Sequence, residues 1–379
     1  MNLREVKISE LAQMKYGKMP SKEILSDEGY PIFSGYRVTG YAKEYLYKEP
    51  KLILVARGVG GTGDVKISPP ESWITNLSIV LNLNNELIDQ NYLYYKLSRE
   101  PLKDKLNTGA AQAQITIETL GAYKIKIPNL GTQQEIARII KRYDDLIENN
   151  RRRIQLLEES ARLLYKEWFV HLRFPMHEHV KIKNGMPEGW ERSRVADLGD
   201  VVTGKTPSTK DPDNFDGEVM FIKTPDMHGT PIVIYSEQYL SEKGASTQAN
   251  KYIPEGSIMV TCIGTVGIVA FNGYRAQTNQ QINSIIPKEP ELRYYSYFAL
   301  SDLKSRMEAI GGGATMANIN KAKFESLPIV IPNKIVLSNF NEFCLPMFEY
   351  IKLLQLQNNK LREARDLLLP RLMNGEIAV

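Results

Sequence analysis

A glycine-rich segment is the first place where this sequence could carry chemistry. Residues Gly58–Gly63 read Gly-Val-Gly-Gly-Thr-Gly, which satisfies the G-x-G-x-x-G spacing that lets a backbone approach a dinucleotide pyrophosphate. That function needs a helix directly after the last glycine. Instead, Asp64–Pro70 reads as a strand that ends in two helix-breaking prolines. We therefore expect a flexible hairpin here and no cofactor site.

Metal-dependent chemistry has little support in the residue pattern. His171, His177 and His179 cluster, but no cysteine or fourth histidine lies near them in the sequence, and carboxylates alone are a weak supplement for zinc. A nuclease needs clustered carboxylates and a lysine around Mg²⁺. Pro225-Asp226 is not followed by a nearby acidic-x-Lys triplet, so we expect neither a metal site nor nuclease activity.

The composition indicates a globular protein with more than one core. The chain has 379 residues, 42% of them hydrophobic and 24% charged, which is enough for two domains. Its apolar runs are far shorter than a membrane span needs, and its N-terminus lacks the apolar core of a secretory signal. With two cysteines, the sequence predicts a cytoplasmic protein in a reducing compartment. A net charge of +4 is too small for binding to nucleic acid through bulk charge, so any such contact depends on individually placed side chains.

The chain contains two copies of one plan. Gly109–Ile115 is followed by a segment ending Ile125-Lys126-Ile127-Pro128-Asn129, and Gly313–Ile319 is followed at the same distance by one ending Ile329-Val330-Ile331-Pro332-Asn333. Each copy also has an early Gly-Lys-x-Pro-Ser loop, at Gly17–Ser21 and Gly204–Ser208. Short apolar runs between turns predict strands, and the residue pattern predicts one helix in each copy, around Tyr92–Leu106 and Tyr294–Ile310. We expect two similar domains of mixed α and β structure.

A long helix is predicted after each Ile-x-Ile-Pro-Asn segment. Apolar residues recur there at alternating spacings of four and three, in the same phase in both copies, which is typical of a coiled coil. The predicted seam comprises Ile136, Ile140, Ile147, Asn150, Ile154, Leu157 and Leu164 in the first helix and Ile351, Leu354, Asn358, Leu361 and Leu368 in the second. The alternative is that each helix packs only on its own domain.

Matching length and phase favour pairing of the two helices with each other. An internally duplicated chain would bring them together antiparallel around a pseudo-twofold axis, with Asn150 and Asn358 fixing the register near the helix centres. The predicted fold class is therefore α+β: two similar mixed domains separated by two long antiparallel coiled-coil helices. Such a rod would hold the domains a fixed distance apart.

This plan resembles the specificity subunit of type I restriction-modification enzymes over nearly the whole chain. The segments that carry the resemblance are Thr132–Ile136, Leu156–Ala161, Lys166–Phe169, Met186–Trp190, Gly204–Ser208 and Thr278–Gln281. One departure is Val336–Phe340, where a Gln-Gln-Glu helix start would be typical.

The resemblance implies a non-catalytic subunit. Each target-recognition domain would read one half of an asymmetric, bipartite double-stranded DNA target, and the helices would set the gap between the halves and dock two modification subunits. S-adenosylmethionine would be bound by those methyltransferase subunits, and ATP and Mg²⁺ by restriction subunits that translocate and cleave DNA. No cofactor is expected on this chain, and the methyltransferase Asn/Asp-Pro-Pro-aromatic motif is absent, because Pro69-Pro70 is followed by Glu71-Ser72.

The expected boundaries are 1–131 for target-recognition domain 1, 132–170 for the first helix, 171–189 for a linker, 190–333 for target-recognition domain 2 and 334–379 for the second helix. Candidate DNA contacts are polar or basic residues in or near the Gly-rich loops, because Gln and Asn can pair with adenine and Arg or Lys with guanine or phosphate. They are Lys15, Lys18, Ser34, Tyr36, Arg57, Gln112 and Gln114 in the first copy and Lys205, Thr206, Ser208, Lys223, Thr224, Asn279, Gln280 and Asn318 in the second. Each could equally be a surface-loop or turn-capping residue.

Two other classes of function compete with this interpretation. The first is a self-sufficient methyltransferase or nucleotide-binding enzyme that uses Gly58–Gly63, which tight binding of S-adenosylmethionine or NAD in equilibrium dialysis would support. The second is a coiled-coil scaffold that joins proteins without recognising DNA. Weak binding of DNA without sequence preference, measured with the modification subunit present, would support the scaffold.

A first prediction concerns the loop near the end of the first copy. Replacing Gln112 and Gln114 by Ala should reduce base discrimination in one half-site only, because each domain reads its own half. Selection of target sites with the variant measures this. Two unchanged half-sites would contradict it.

Overall fold

The computed structural model describes residues 2–58, 60–109, 112–311 and 318–379. Parts of the Gly58–Gly63, Gly109–Ile115 and Gly313–Ile319 segments lie outside the described residues, namely Val59, Ala110, Ala111 and 313–317. The chain divides into two units, Met1–Ile147 with Leu361–Val379, and Glu148–Lys360. Among the described residues, no helix is both long enough and apolar enough to cross a membrane.

The first unit is built on two small sheets. Its strands are β1 Arg4–Lys7, β2 Ala12–Tyr16, β3 Leu25–Ser26, β4 Tyr30–Ser34, β5 Arg37–Ala42, β6 Leu52–Val55, β7 Val65–Ile67, β8 Trp73–Ile74, β9 Ser78–Leu83 and β10 Lys124–Ile127, and its helices are α1 Ile8–Leu11, α2 Gln90–Leu97, α3 Leu102–Leu106, α4 Ile117–Ala122 and the part of α5 (Leu130–Tyr165) up to Ile147. One sheet has the order β2-β9-β6-β7 and the other β3-β5-β4-β8, and β1 pairs with β10.

The centre of the first sheet follows from uninterrupted apolar runs. Every residue of β6 is buried, as is the Ser78–Leu81 part of β9, which is typical of strands covered on both faces. Strand β7 returns antiparallel to β6, and Pro69-Pro70 prevents its extension. The predicted hairpin around Gly58–Gly63 is therefore confirmed, and no helix follows its last glycine.

The second unit repeats this framework. Its strands are β11 Ile182–Lys183, β12 Met186–Pro187, β13 Glu191–Arg194, β14 Gly199–Thr203, β15 Phe215–Ile222, β16 Ile232–Val233, β17 Gln238–Leu240, β18 Ile258–Thr261, β19 Val269–Asn272, β20 Gln277–Thr278, β21 Ile282–Pro287 and β22 Pro328–Ile331, its helices are α6 Glu242–Ser246, α7 Leu292–Asp302, α8 Lys304–Ile310, α9 Lys321–Glu325 and α10 (Lys334–Met373) up to Lys360, and it includes the end of α5. A π-helical turn, Lys166–Val170, extends α5, and 3₁₀ turns occupy His177–His179, Val195–Leu198, Pro212–Asn214, Thr224–Met227 and Ala249–Lys251.

Strand order shows that the repeat seen in the sequence is also a repeat of structure. The order β14-β21-β18-β19 matches β2-β9-β6-β7, and β13 pairs with β22 as β1 does with β10. The second copy adds β16, which lies parallel to β19. The other sheet of each copy contains one parallel strand pair, which is β4 with β8 in the first copy and β15 with β20 in the second.

The prediction of a single helix around Tyr92–Leu106 is wrong, because two short helices occupy this segment. Helix α2 ends at Leu97 and α3 begins at Leu102, because Pro101 lacks the amide hydrogen that a continuing helix needs. The equivalent helix of the second copy, predicted around Tyr294–Ile310, is also divided, into α7 and α8 at Leu303.

The two long helices begin with the same cap. Asn129 Oδ1 accepts the Thr132 N–H at 3.0 Å, and Asn333 Oδ1 accepts the Val336 N–H at 3.0 Å. A side-chain acceptor three residues before the bonded amide is the usual N-cap geometry. The asparagine of each Ile-x-Ile-Pro-Asn segment therefore starts a helix.

The atypical start of α10 has a packing reason. In α5, fully buried Gln133 accepts the Asp89 N–H at 3.0 Å and donates to the carbonyl oxygens of Leu87 and Pro128. The matching position in α10 is Leu337, which is buried in the apolar core of the second unit. Polar contacts at one helix start are thus replaced by apolar packing at the other.

Within the second unit, the two helices run antiparallel. Asn150 Nδ2 donates to Asn358 Oδ1 at 3.0 Å, while Trp168 lies against Phe340, with ring centroids 5.8 Å apart. As residue numbers rise along α5, the numbers of the contacting residues therefore fall along α10. Predicted seam residues in this unit are buried (Asn150, Ile351, Leu354, Asn358) or half-buried (Ile154, Leu157, Leu164).

The first unit contains the other ends of the same two helices. Ile136 and Ile140 of α5 are fully buried, and they share a core with Leu368, Leu369 and Leu372 of α10. Seam residue Ile147 is buried, and Leu361 is half-buried. Each unit therefore uses a segment of both helices to complete its core.

Two glycines hold equivalent loops against the strands. The Gly17 N–H donates to Ser78 O at 3.0 Å and the Gly204 N–H to Ile282 O at 3.1 Å. A Cβ atom on Gly17 would collide with the carbonyl oxygen of Ile74, and one on Gly204 with that of Thr278. These positions exclude side chains for lack of space.

We predict that Gly17→Ala and Gly204→Ala each destabilise the protein by about 1–3 kcal/mol, because backbone must move to admit the methyl group. Urea unfolding followed by circular dichroism measures this. Gly131→Ala, on α5 with its nearest neighbour at ordinary contact distance, is the matched control. It should not lower stability. Equal stability of the Gly17 variant and the wild type would contradict the steric argument.

A further prediction concerns the buried amides of the seam. Asn150→Ala should destabilise the second unit by about 1–3 kcal/mol, since it removes the buried hydrogen bond from Asn150 Nδ2 to Asn358 Oδ1. Replacing both by Leu should restore most of the stability, at the cost of register specificity. Unfolding of the single and double variants tests this, and an additive loss in the double variant would count against it.

Candidate nucleic-acid interface

In the first copy, loops from several strands meet at one edge of the sheets. The Lys18 N–H donates to Ile74 O at 2.9 Å, just after β2 and at the end of β8. Thr75 Oγ1 donates to Ser34 Oγ at 3.0 Å, which joins the ends of β4 and β8. These bonds place the predicted residues Lys18, in the loop after β2, and Ser34, the last residue of β4, beside the end of β8.

Arg57 and Gln114 lie side by side at this edge. Their backbones form an isolated antiparallel bridge, and Arg57 Nη2 donates to Asn76 O at 3.4 Å. Asn107 Oδ1 accepts the amide hydrogens of Gly109 and Gln114, at 3.0 and 2.9 Å. The segment that carries Gln112 and Gln114 is therefore anchored at both ends. Both predicted glutamines project there, Gln112 exposed and Gln114 half-buried.

Tyr36 provides an exposed aromatic surface beside the glycine hairpin. Its side chain is 46% exposed, and its ring lies 3.2 Å from where a Cβ on Gly61 would be. Arg37 lies over the same ring, 5.7 Å from its centroid. Lys15 is different, since it sits within β2 with its ammonium 5.3 Å from the Tyr47 ring. Among the described contacts, none joins Lys15 to the other candidates.

The second copy has the equivalent loop cluster with other side chains. The Lys205 N–H donates to Thr278 O at 2.9 Å, as Lys18 does to Ile74. Thr206 Oγ1 donates to Gln280 Oε1 at 2.6 Å. Lys205 and Gln280 are exposed, and Thr206 is half-buried, so an amide, a hydroxyl and an ammonium group lie on one surface.

Gln281 organises the neighbouring loop, and sequence reasoning missed it. Its Oε1 accepts from Asn279 Nδ2 at 3.0 Å and from Thr224 Oγ1 at 3.3 Å. Thr224 and Asn279 are each only 8% exposed, so in this conformation they orient Gln281 and present little surface of their own. The adjacent Gln280-Gln281 pair in the sequence was a signal that could have identified it.

The remaining candidates of the second copy lie around this cluster. Lys223 is half-buried above the Phe221 ring, and its N–H donates to Asp226 Oδ2 at 2.8 Å. Ser208 is exposed, and its carbonyl oxygen accepts from Asn214 Nδ2 at 3.0 Å. Asn318 is exposed and bridges Ile263.

Equivalent positions at the two edges carry different chemistry. The backbone bridge between Arg57 and Gln114 corresponds to the bridge between Ile263 and Asn318. A guanidinium with five fixed donors is thus replaced by an aliphatic side chain. The two edges therefore differ in the hydrogen-bond donors that they present at the same position of the framework.

Neither a cluster of metal ligands nor an ionised cysteine is found in the described part of the chain. Within those ranges, no group of three His, Cys, Asp or Glu side chains is close enough to hold a metal ion. Both cysteines are buried, and burial raises the pKa of Cys262 to about 11 and that of Cys344 to about 12. Neither thiol is therefore ionised at neutral pH.

Comparison with known proteins identifies the family. The model of the type I restriction modification DNA specificity domain matches residues 2–159 and 187–335, one match for each copy. The HindI specificity subunit of a type I restriction enzyme from Haemophilus influenzae is 32% identical over 326 residues, covering 70% of this chain and 71% of that protein. The MjaIX specificity subunit from Methanocaldococcus jannaschii is 28% identical over 302 residues, covering 76% and 69%.

A solved structure shares the fold. The S subunit of a type I restriction-modification system from M. genitalium superposes with a TM-score of 0.67 at 17% sequence identity, over 98% of this chain and 96% of that one. The two matches to the family model and the relatives agree with the duplicated framework and the paired loop clusters. This chain therefore belongs to the family of type I restriction-modification DNA specificity subunits.

Proposed function

We propose that target-recognition domain 1 reads one half of a bipartite DNA target and that target-recognition domain 2 reads the other, different half. The observation that carries this is the pair of equivalent loop edges with unlike side chains, Arg57 beside Gln114 and Ile263 beside Asn318. One framework with two sets of recognition groups predicts two unlike half-sites. A symmetric dimer would instead require a palindrome.

The exposed side chains at each edge suit different tasks. Lys18 and Lys205 occupy the same place in their loops and suit phosphate contacts, which position a protein without reading sequence. Gln112, Gln114 and Gln280 carry amides that can pair with adenine in the major groove. Tyr36 offers an aromatic face beside a glycine hairpin that lets the backbone approach closely.

We infer that α5 and α10 form one antiparallel coiled coil that sets the spacer between the half-sites. Support comes from inside each unit: Asn150 bonds to Asn358 in the second, and Ile136 and Ile140 share one apolar core with Leu372 in the first. In the proposed coiled coil the two helices run in opposite directions with one register. The pseudo-twofold relation of the two copies is part of the same proposal.

The faces of the helices turned away from the seam suit partner subunits. Leu156, Leu163 and Val170 are more than half exposed and follow one another at heptad spacing on α5 and its π-helical turn, and Leu353 and Leu367 of α10 are 59% and 70% exposed. Exposed apolar side chains at this spacing are typical of a helix that packs against further helices. We propose that two modification subunits bind there.

We also propose that this chain contributes recognition and no catalysis. S-adenosylmethionine would then be bound by the modification subunits, and ATP and Mg²⁺ by restriction subunits. This division of labour predicts that the isolated chain binds neither S-adenosylmethionine nor NAD in equilibrium dialysis.

Co-expression with the neighbouring modification subunit, followed by mapping of methylated adenines across a genome, tests the proposal. We expect one motif with two unlike halves at a fixed spacing. Replacing Thr206 and Gln280 by Ala should relax the sequence of one half only, with a cost of about 1–3 kcal/mol in base discrimination. The matched control is Thr247→Ala, an exposed threonine whose hydroxyl, among the described contacts, donates only to the nearby carbonyl oxygen of Gly244.

Three outcomes would contradict the proposal. A palindromic motif would argue against two different readers on one chain. Sequence-independent weak DNA binding without methylation would favour a scaffold. Tight binding of S-adenosylmethionine by the chain alone would favour a self-sufficient enzyme.

A further inference from the structure

A tyrosine hydroxyl ties each recognition domain to α5. Tyr95, on α2 of the first unit, donates to Asp144 Oδ2 at 2.6 Å. Tyr297, on α7 of the second unit, donates to Glu158 Oε1 at 2.6 Å. The tyrosines are 6% and 4% exposed, so both bonds lie at protected contacts between a domain and the helix on which it rests.

In the first unit, the carboxylate also holds the other helix. Asp144 Oδ1 lies 2.7 Å from Arg365 Nη1 of α10, and both side chains are about two-thirds shielded from solvent. One carboxylate therefore joins three elements, namely the recognition domain through Tyr95, α5 through Asp144 itself and α10 through Arg365. A charge-assisted bond of this kind has a narrow preferred geometry.

In the second unit, α10 holds the domain through separate contacts. Lys352 Nζ donates to Glu255 Oε1 at 2.6 Å and to Gly273 O at 2.7 Å. Gln355 Nε2 donates to Ile232 O at 3.0 Å. Together with Tyr297 and Glu158, these bonds attach target-recognition domain 2 to both helices, although the residue types differ from those in the first unit.

The phenols are suited to act as permanent donors. Burial raises the pKa of Tyr95 above its ordinary value, and the hydrogen bond to Asp144 raises it further. Burial likewise raises the pKa of Tyr297, with Glu158 adding to the shift. Each hydroxyl therefore keeps its proton at any physiological pH, and the bond to the carboxylate persists.

The geometry of DNA makes the stiffness of these attachments important. Inserting one base pair between two half-sites moves the second by about 3.4 Å and rotates it by about a tenth of a turn. A recognition domain can follow that displacement only by tilting on its helices. Directional bonds at the attachment oppose the tilt, whereas apolar packing alone is less selective for angle.

We propose that Tyr95 with Asp144 and Arg365, and Tyr297 with Glu158, are positioning residues that determine which spacer length the protein accepts. They touch no base in this role. They fix the angle at which each recognition domain leaves the helices, and so they make targets with one base pair more or fewer unfavourable. This inference rests on the proposed bipartite recognition and assigns spacer selectivity to named side chains.

The test uses the full chain assembled with its modification subunit. Methyl transfer is measured on duplexes that carry the same two half-sites with the native spacer, one base pair fewer or one more. We expect Tyr95→Phe and Tyr297→Phe each to lower the ratio of kcat/KM between native and altered spacers by about 3- to 10-fold. The base preference within each half-site should stay unchanged. A residue that merely supported folding would lower stability without moving this ratio.

Tyr94→Phe is the matched control. Tyr94 precedes Tyr95 on α2 and lies near the same Asp144 and Arg365 charges, but in the described part of the chain its hydroxyl makes no hydrogen bond to them. Its removal should leave the spacer ratio as in the wild type. On the acceptor side, Glu158→Gln keeps an oxygen that accepts from Tyr297 and should retain most of the selectivity, whereas Glu158→Ala should lose it. This pair gives the same comparison if the phenylalanine variants fail to assemble.

The outcomes separate the two proposals. If the wild type shows no bipartite motif, bipartite recognition itself fails. If the wild type discriminates between spacers and Tyr95→Phe, Tyr297→Phe and Glu158→Ala all retain its ratio, the positioning role is wrong while bipartite recognition stands. An equal change in Tyr94→Phe would also overturn the assignment, because the effect would then not depend on the bond to the carboxylate.

Discussion

In the second unit, the hydrogen bond between Asn150 and Asn358 is the contact on which the register of α5 against α10 most depends. An apolar seam tolerates a shift by one heptad, because Ile and Leu residues can replace one another as packing partners. A buried amide cannot move to an apolar position without losing its partner. In the second unit this bond selects one register, and the neighbouring Gln357 side chain, which accepts from the same Asn150 amide at 3.0 Å, strengthens that choice.

Register matters because each unit needs both helices to complete its core. In the second unit, Ala161 of α5 and Trp168 of the π-helical turn that extends it share a core with Phe340 and Ile351 of α10. A slip would separate these aromatic contacts and would expose apolar surface worth about 25 cal/mol per Å². The helices therefore connect the two copies and also form part of the core of each unit. Within each unit, this packing determines where the loop edge lies.

The frame could be predicted from the sequence because it depends on repeated, local signals. Two Ile-x-Ile-Pro-Asn segments marked where the long helix of each copy begins, and the heptads marked residues that are buried or half-buried in both units. The Gly58–Gly63 hairpin followed from Pro69-Pro70. The break between α2 and α3 has a visible cause in Pro101, although the residue pattern on both sides of it is helical.

The candidate site was less accessible to sequence reasoning, because its geometry depends on long-range contacts. Gln281 receives bonds from Thr224, far away in the sequence, and nothing in the local pattern distinguishes it from Gln280. The bond from Tyr95 to Asp144 likewise joins a short helix to a long one across an interval that no periodicity spans. A single sequence shows which polar residues are present, whereas their division into contacting and orienting groups depends on tertiary packing.

The path of the chain through the two units also has a consequence for biosynthesis. The second unit is one continuous stretch, but the core of the first includes Leu369, Leu372 and Met373 from the segment Leu361–Val379. Ribosomes release that segment after the whole of the second unit. Most of the first unit is translated earlier, but part of its apolar core stays uncovered until this last segment is made. The second unit can therefore finish folding before the first.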